Sequence, residues 1–181
     1  PPHNGHITVA KTVLKLRPDI DQLWFIPANT HPWWTISASA KHRLAMMTLL
    51  QDEQIGVYDG ELKKGGETYT IDTVKELQTS TDHTFIYVCG TDQIKDFSKW
   101  KAYEELLQRI PFLLFPRAGY DEKEGTKYCA PTNFAVLKSD EIVPSSYSSS
   151  DIRAKIKAGE SIDNLVPEKV KEYIQKNNLY V

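Results

Sequence analysis

The chain has 181 residues, of which 40% are hydrophobic and 25% charged, with a formal net charge of −2. That length and apolar share suit a single domain with a sizeable core, and the slight acidity argues against a general nucleic-acid binder, which is expected to be basic. No apolar run approaches the roughly 18 residues of a membrane-spanning helix, no secretory leader is recognisable, and Cys89 and Cys129 show no paired spacing, so a cytoplasmic setting is expected.

Residues 4–16 read as a helix, with Val9, Val13, Leu14 and Leu16 on its apolar side and Arg17-Pro18 ending it. Leu23-Trp24-Phe25-Ile26 is a short apolar run that stops at Pro27, as a buried strand does. Residues 29–37 form an irregular loop. Ser37 or Ser39 caps a helix running to about Leu50, with Leu44, Met47 and Leu50 inward. Strands are expected at 55–58, 85–89, 112–115 and 134–137, and helices at 70–79, 92–98 and 99–109. Cys89 lies inside an apolar strand pattern and reads as a core residue. The stretch 117–132 is polar and has the least regular pattern. Ser148 to Ala158 reads as a helix closed by Gly159, and Pro167 opens a last helix ending near Asn178.

Helices alternate with strands that are apolar throughout. This favours a parallel sheet covered on both faces, with ligands outside the carboxyl ends of the strands. Polar, glycine-containing segments fall at those ends: Pro27 to His31 after one strand and Gly90-Thr91-Asp92 after another. The chain opens at Pro1 without a leading strand, and about ten further residues, a strand and a glycine turn, are expected upstream.

Two segments carry chemistry. His3-Asn4-Gly5-His6 places two imidazoles around a glycine at a helix start, where unpaired N–H groups and partial positive charge suit a phosphate. Read alone, the segment equally describes a loop with two surface histidines. No Cys/His/acid set completes four zinc ligands around it. Near the other end, Tyr147-Ser148-Ser149-Ser150-Asp151-Ile152-Arg153 combines a capped helix start, further hydroxyls and a guanidinium. Alone, it too reads as an ordinary serine cap with a solvent-exposed arginine.

Together, in an alternating α/β chain, the two segments resemble the HxGH nucleotidyltransferase superfamily, and within it bacterial nicotinate-nucleotide adenylyltransferases. The resemblance runs almost end to end. It includes Phe25-Ile26-Pro27-Ala28-Asn29, Glu61-Leu62-Lys63-Lys64, Tyr69-Thr70 with Thr73, Gly90-Thr91-Asp92, Phe97-Ser98-Lys99-Trp100, Pro116-Arg117-Ala118-Gly119-Tyr120 and Leu165-Val166-Pro167-Glu168. It implies a Rossmann-like, doubly wound α/β domain over residues 1–181 with a C-terminal helical segment, its first strand lying outside this chain.

The resemblance also implies site residues. His3, His6 and Arg153 are the catalytic set. ATP is held by His3, His6, Gly90, Asp92, Ser148, Ser150 and Arg153. Asn29, Thr70, Trp100 and Lys101 line the mononucleotide site, with Trp100 stacking on the pyridine ring and the amides of Thr70 and the backbone after Trp100 facing the nicotinate carboxylate. The reaction implied is adenylyl transfer from ATP, with Mg²⁺, to nicotinate mononucleotide. Partners are these nucleotides, with no nucleic acid and no membrane, and a homo-oligomer is left open.

From residue chemistry, Asp92 equally suits an N-cap of the 92–98 helix. Trp100 equally suits a core position, although Ser98, Lys99 and Lys101 around it argue for exposure. The chain departs from the family pattern at Thr30-His31-Pro32-Trp33-Trp34, where a basic residue is replaced by tryptophans, and at Tyr147. The alternatives are nicotinamide mononucleotide or phosphopantetheine as acceptor, or a nucleotide-binding module with impaired catalysis.

Overall fold

The apolar period that begins after His3 is realised as helix α1, Asn4–Leu16, which buries Gly5, Ala10 and Val13. The computed structural model describes residues 1–30, 37–117, 119, 134–138, 142 and 148–181. The 31–34 part of the altered loop, Cys129, Tyr147 and the 120–132 stretch lie outside the described residues. Contacts divide the chain into two units, Pro1–Thr68 with Tyr147–Val181, and Tyr69–Ser146.

In the first unit, strand β1 (Leu23–Phe25) pairs in parallel with β2 (Ile55–Val57), Phe25 lying opposite Val57. Between them, Ser39 caps α2, Ala40–Thr48, its hydroxyl accepting the His42 N–H. The fully buried residue of α2 is Met46. Of the expected inward set, Leu50 is buried and Met47 packs half-buried against the same core, while Leu44 is only half-buried. A short α3, Gly60–Lys64, was not expected. Helix α6, Ser149–Lys157, presents Ile152 to Met46, Ile162, Val166 and Val170. Gly159 closes α6 at a φ of +73°, a left-handed conformation that disfavours any residue with a Cβ. Helix α7 is Glu168–Lys176, and Pro167 stands at its cap rather than inside its first turn.

In the second unit, α4 (Thr70–Ser80) buries Ile71, Thr73, Val74 and Leu77. Strands β3 (Tyr87–Gly90), β4 (Phe112–Phe115) and β5 (Phe134–Val136) form a parallel sheet with β4 in the middle. All four β4 residues are buried, as the unbroken apolar run requires. Thr91–Lys99 is a 3₁₀ helix, and α5 is Tyr103–Arg109. The expected helix at 99–109 therefore starts four residues late, because Ala102 takes a left-handed φ of 51° that breaks it from the turn before. Phe97, Phe112, Leu106 and Leu114 fill this core. Cys89 is buried with them, and burial pushes its thiol up to about 12, so it is no thiolate nucleophile at neutral pH. No helix among the described residues is long and apolar enough to cross a membrane.

Candidate active site

His3 is the N-cap of α1 and is only 6% exposed. Its backbone N–H donates to Nδ1 of His6 at 3.2 Å, and the His6 N–H donates to the His3 carbonyl at 2.9 Å. The His6 imidazole thus accepts the N-cap N–H, the place that Glu or Gln usually takes in a capping box. It has a chemical consequence. A neutral imidazole that accepts at Nδ1 carries its proton on Nε2, so His6 is set as an Nε2–H donor. The two rings lie 3.9 Å apart, and His6 stands edge-on to Phe25 at the end of β1, 6.1 Å between centroids.

The second motif is built on the same logic. Ser148 caps α6, its hydroxyl accepting the N–H groups of Ser150 at 3.1 Å and Asp151 at 3.4 Å. A cap of this kind contributes about 1 kcal/mol. One turn on, Arg153 donates from Nη2 to the Ser150 hydroxyl at 2.9 Å. Burial raises the pKa of the Tyr180 phenol, while the positive charges of Arg153 and Arg43 hold it back, which sets both guanidinium groups near that ring.

The two motifs lie near opposite ends of the chain and are adjacent in space. The Ser149 hydroxyl donates to the Pro1 carbonyl at 2.9 Å. The Asn4 N–H donates to the Leu165 carbonyl at 2.9 Å, and its side-chain amide to the Asn164 carbonyl at 2.8 Å. Two helix N-termini, two imidazoles, serine hydroxyls and a guanidinium thus gather in the first unit. That is a strong site for polyanionic oxygen. Asn29, also in this unit, donates from its side chain to the Gly66 carbonyl at 2.9 Å.

The second unit holds the remaining candidates. Gly90 ends β3, and a Cβ there would fall 2.2 Å from Asp92 Oδ1, so any larger residue would displace the Asp92 carboxylate. Asp92 is not the N-cap considered from its sequence position; Gly90 occupies that place and Asp92 lies in the first 3₁₀ turn. Its Oδ1 is buried without a hydrogen-bond partner among the described residues, while Oδ2 faces Arg117 Nη1 at 3.8 Å. A buried acceptor of this kind can take a hydrogen bond from a hydroxyl donor. The Arg117 N–H donates to the buried Thr91 hydroxyl at 2.9 Å.

Trp100 is half-buried rather than exposed as its neighbours suggested. Its ring packs on Phe97 at 5.2 Å and edge-on to Tyr87 at 5.8 Å. The Lys101 ammonium is held by Asp72 at 2.9 Å and sits 4.4 Å over the Tyr69 ring. The Lys101 backbone runs straight into the left-handed Ala102, at a φ of 51°. Thr70 is the first residue of α4, where amides lack intrahelical acceptors.

The cytidylyltransferase-like family model matches residues 1–155, so the chain belongs to the cytidylyltransferase-like nucleotidyltransferases. The probable nicotinate-nucleotide adenylyltransferase of Oceanobacillus iheyensis is 34% identical, covering 99% of this chain and 91% of the relative. That of Clostridium acetobutylicum is 30% identical, covering 100% and 94%. Within its class, the chain is therefore a member of the nicotinate-nucleotide adenylyltransferase family. The fold agrees with a solved structure of Plasmodium falciparum nicotinic acid mononucleotide adenylyltransferase complexed with NaAD, with a TM-score of 0.82 at 21% identity over 99% of this chain and 92% of that one.

Proposed function

We propose that the chain transfers the adenylyl group of ATP to nicotinate mononucleotide, releasing pyrophosphate and forming deamido-NAD. The observation that carries this reading is the junction of the two phosphate-binding helix starts, fixed by the Ser149 to Pro1 hydrogen bond. The nucleophile is an oxygen of the mononucleotide 5′-phosphate, which attacks the α-phosphorus of ATP. One P–O bond forms as the bond to the departing pyrophosphate breaks. The phosphate nucleophile is largely ionised at neutral pH, its second pKa being about 6, so no general base is needed. The protein's task is positioning and charge neutralisation.

His6 donates its Nε2–H to the triphosphate, and His3, Ser148, Ser150 and Arg153 bind around it. Asp92 Oδ1 accepts a hydroxyl of the adenosine ribose beside Gly90. Trp100 stacks on the electron-poor pyridine, and the Thr70 and Lys101 amides donate to the nicotinate carboxylate, which favours acid over amide. Asn29 contacts the mononucleotide. No cluster of three His, Cys, Asp or Glu side chains suited to a metal occurs among the described residues. A Mg²⁺ chelated by ATP would supply further charge neutralisation there. The enzyme is expected to work in the cytoplasm.

Trp100→Ala is the test of the pyridine assignment. Loss of stacking raises the mononucleotide KM by roughly 10- to 100-fold, with the ATP KM little changed. Steady-state kinetics with each substrate varied in turn reads both. An unchanged mononucleotide KM removes Trp100 from the site.

A further inference from the structure

Arg43 has no place in the reading so far, yet its contacts are unusual for a helix-surface arginine. It lies in the first turns of α2, and its guanidinium donates to the carbonyls of Ala28 at 2.7 Å, Asn29 at 2.6 Å and Ala38. Ala28 and Asn29 follow β1; Ala38 immediately precedes the cap of α2. One planar side chain therefore ties together both ends of the segment that joins the strand to the helix. Burial lowers the Arg43 pKa from its ordinary value, and the cost of that burial is offset by main-chain oxygens. A lysine, with one point charge, cannot span all three acceptors.

The residue fixed most firmly by this clamp is Asn29. Its carbonyl accepts from Arg43, while its side chain and the Thr30 hydroxyl both donate to the Gly66 carbonyl, at 2.9 and 3.0 Å. Gly66 is held at a φ of +69°, in a turn next to Gly65 at +68°. Asn29 is thus gripped through both its main chain and its side chain, and one grip is Arg43.

We propose that Arg43 is a positioning residue for the mononucleotide: it sets Asn29 and the two ends of the 29–38 segment, and so governs acceptor binding without touching the reacting atoms. This rests on the adenylyl-transfer reading above. It predicts an asymmetric kinetic effect. Arg43→Ala raises the nicotinate mononucleotide KM by about tenfold or more and leaves the ATP KM within about twofold, as loss of the charge-assisted bonds that hold Asn29 requires. Arg43→Lys recovers only part of the loss, added guanidinium ion lowers the raised KM of the alanine variant, and the control Lys41→Ala, an exposed position on α2, behaves as wild type.

A wild-type mononucleotide KM in Arg43→Ala, or an equal rise in both KM values, overturns the proposal. If the alanine variant fails to fold, Arg43→Lys decides by the same comparison. Hydrogen exchange at the amides of 28–30 and 37–39 gives a second readout independent of turnover. Faster exchange in the variant supports the clamp, and unchanged exchange overturns it. If wild type adenylylates no pyridine mononucleotide, the reaction assignment has failed separately, and the exchange result alone decides whether Arg43 fixes this segment.

Discussion

Replacing His6 by alanine is expected to lower kcat by roughly 10²- to 10³-fold at saturating ATP and mononucleotide, the range seen when one donor to a developing oxyanion is removed. The orientation of His6 is set at the N-cap of α1. The His3 N–H occupies Nδ1 of His6, so the ring's proton sits on Nε2. The ring itself is held by His3 on one side and Phe25 on the other. A donor fixed in this way needs no reorganisation as charge builds on the departing pyrophosphate. The same substitution removes a cap contact, which costs about 0.5–2 kcal/mol of stability. His6→Asn separates the two effects, because its amide oxygen is able to replace Nδ1 as acceptor for the His3 N–H but leaves no donor at the Nε2 position. Its urea midpoint is expected near wild type and its kcat near that of the alanine variant. Turnover retained within a few-fold in both variants would remove His6 from the phosphate site.

The largest stability effect is expected at Phe97. It is 1% exposed and touches Phe112 at 5.2 Å, Tyr103 at 6.0 Å and Trp100 at 5.2 Å. Phe97→Ala removes a buried ring from a packed core, which costs roughly 3–5 kcal/mol. It also takes away the surface against which Trp100 rests. Two results follow together: a lower urea midpoint, and a raised mononucleotide KM in the fraction that remains folded. Phe97→Leu leaves a smaller void and loses less of both. A Phe97→Ala midpoint equal to wild type would contradict the placement of this ring in the core.

How much of this was legible in the sequence depends on the signal each element leaves. Helix α1 was readable to the residue, because its apolar period is long and Arg17-Pro18 ends it. The four-residue run of β4 announced a strand buried on both faces. Helix α3 was not readable, since five residues starting at Gly60 give no period to detect. Met46 was not singled out as the fully buried position of α2, because adjacent Met46 and Met47 serve the pattern equally well. The delayed start of α5 rests on a left-handed Ala102, which no propensity signals. At the proposed site, neither motif stood out alone; only the two together carried the resemblance. Their junction was not legible, since a hydrogen bond between residues 1 and 149 has no local signature. Arg43 was invisible for a related reason: a clamp made to main-chain carbonyls leaves no partner residue type to recognise.

The most direct test of the account is product formation by the wild-type protein with ATP and Mg²⁺ and one acceptor at a time: nicotinate mononucleotide, nicotinamide mononucleotide or phosphopantetheine. Pyrophosphate release is followed, and the adenylylated product is identified by mass. The account predicts release with nicotinate mononucleotide in equal amount to deamido-NAD formed, slower turnover of the amide, and none of phosphopantetheine. Pyrophosphate release that favours phosphopantetheine, or nucleotide binding with no adenylylated pyridine product, would contradict it.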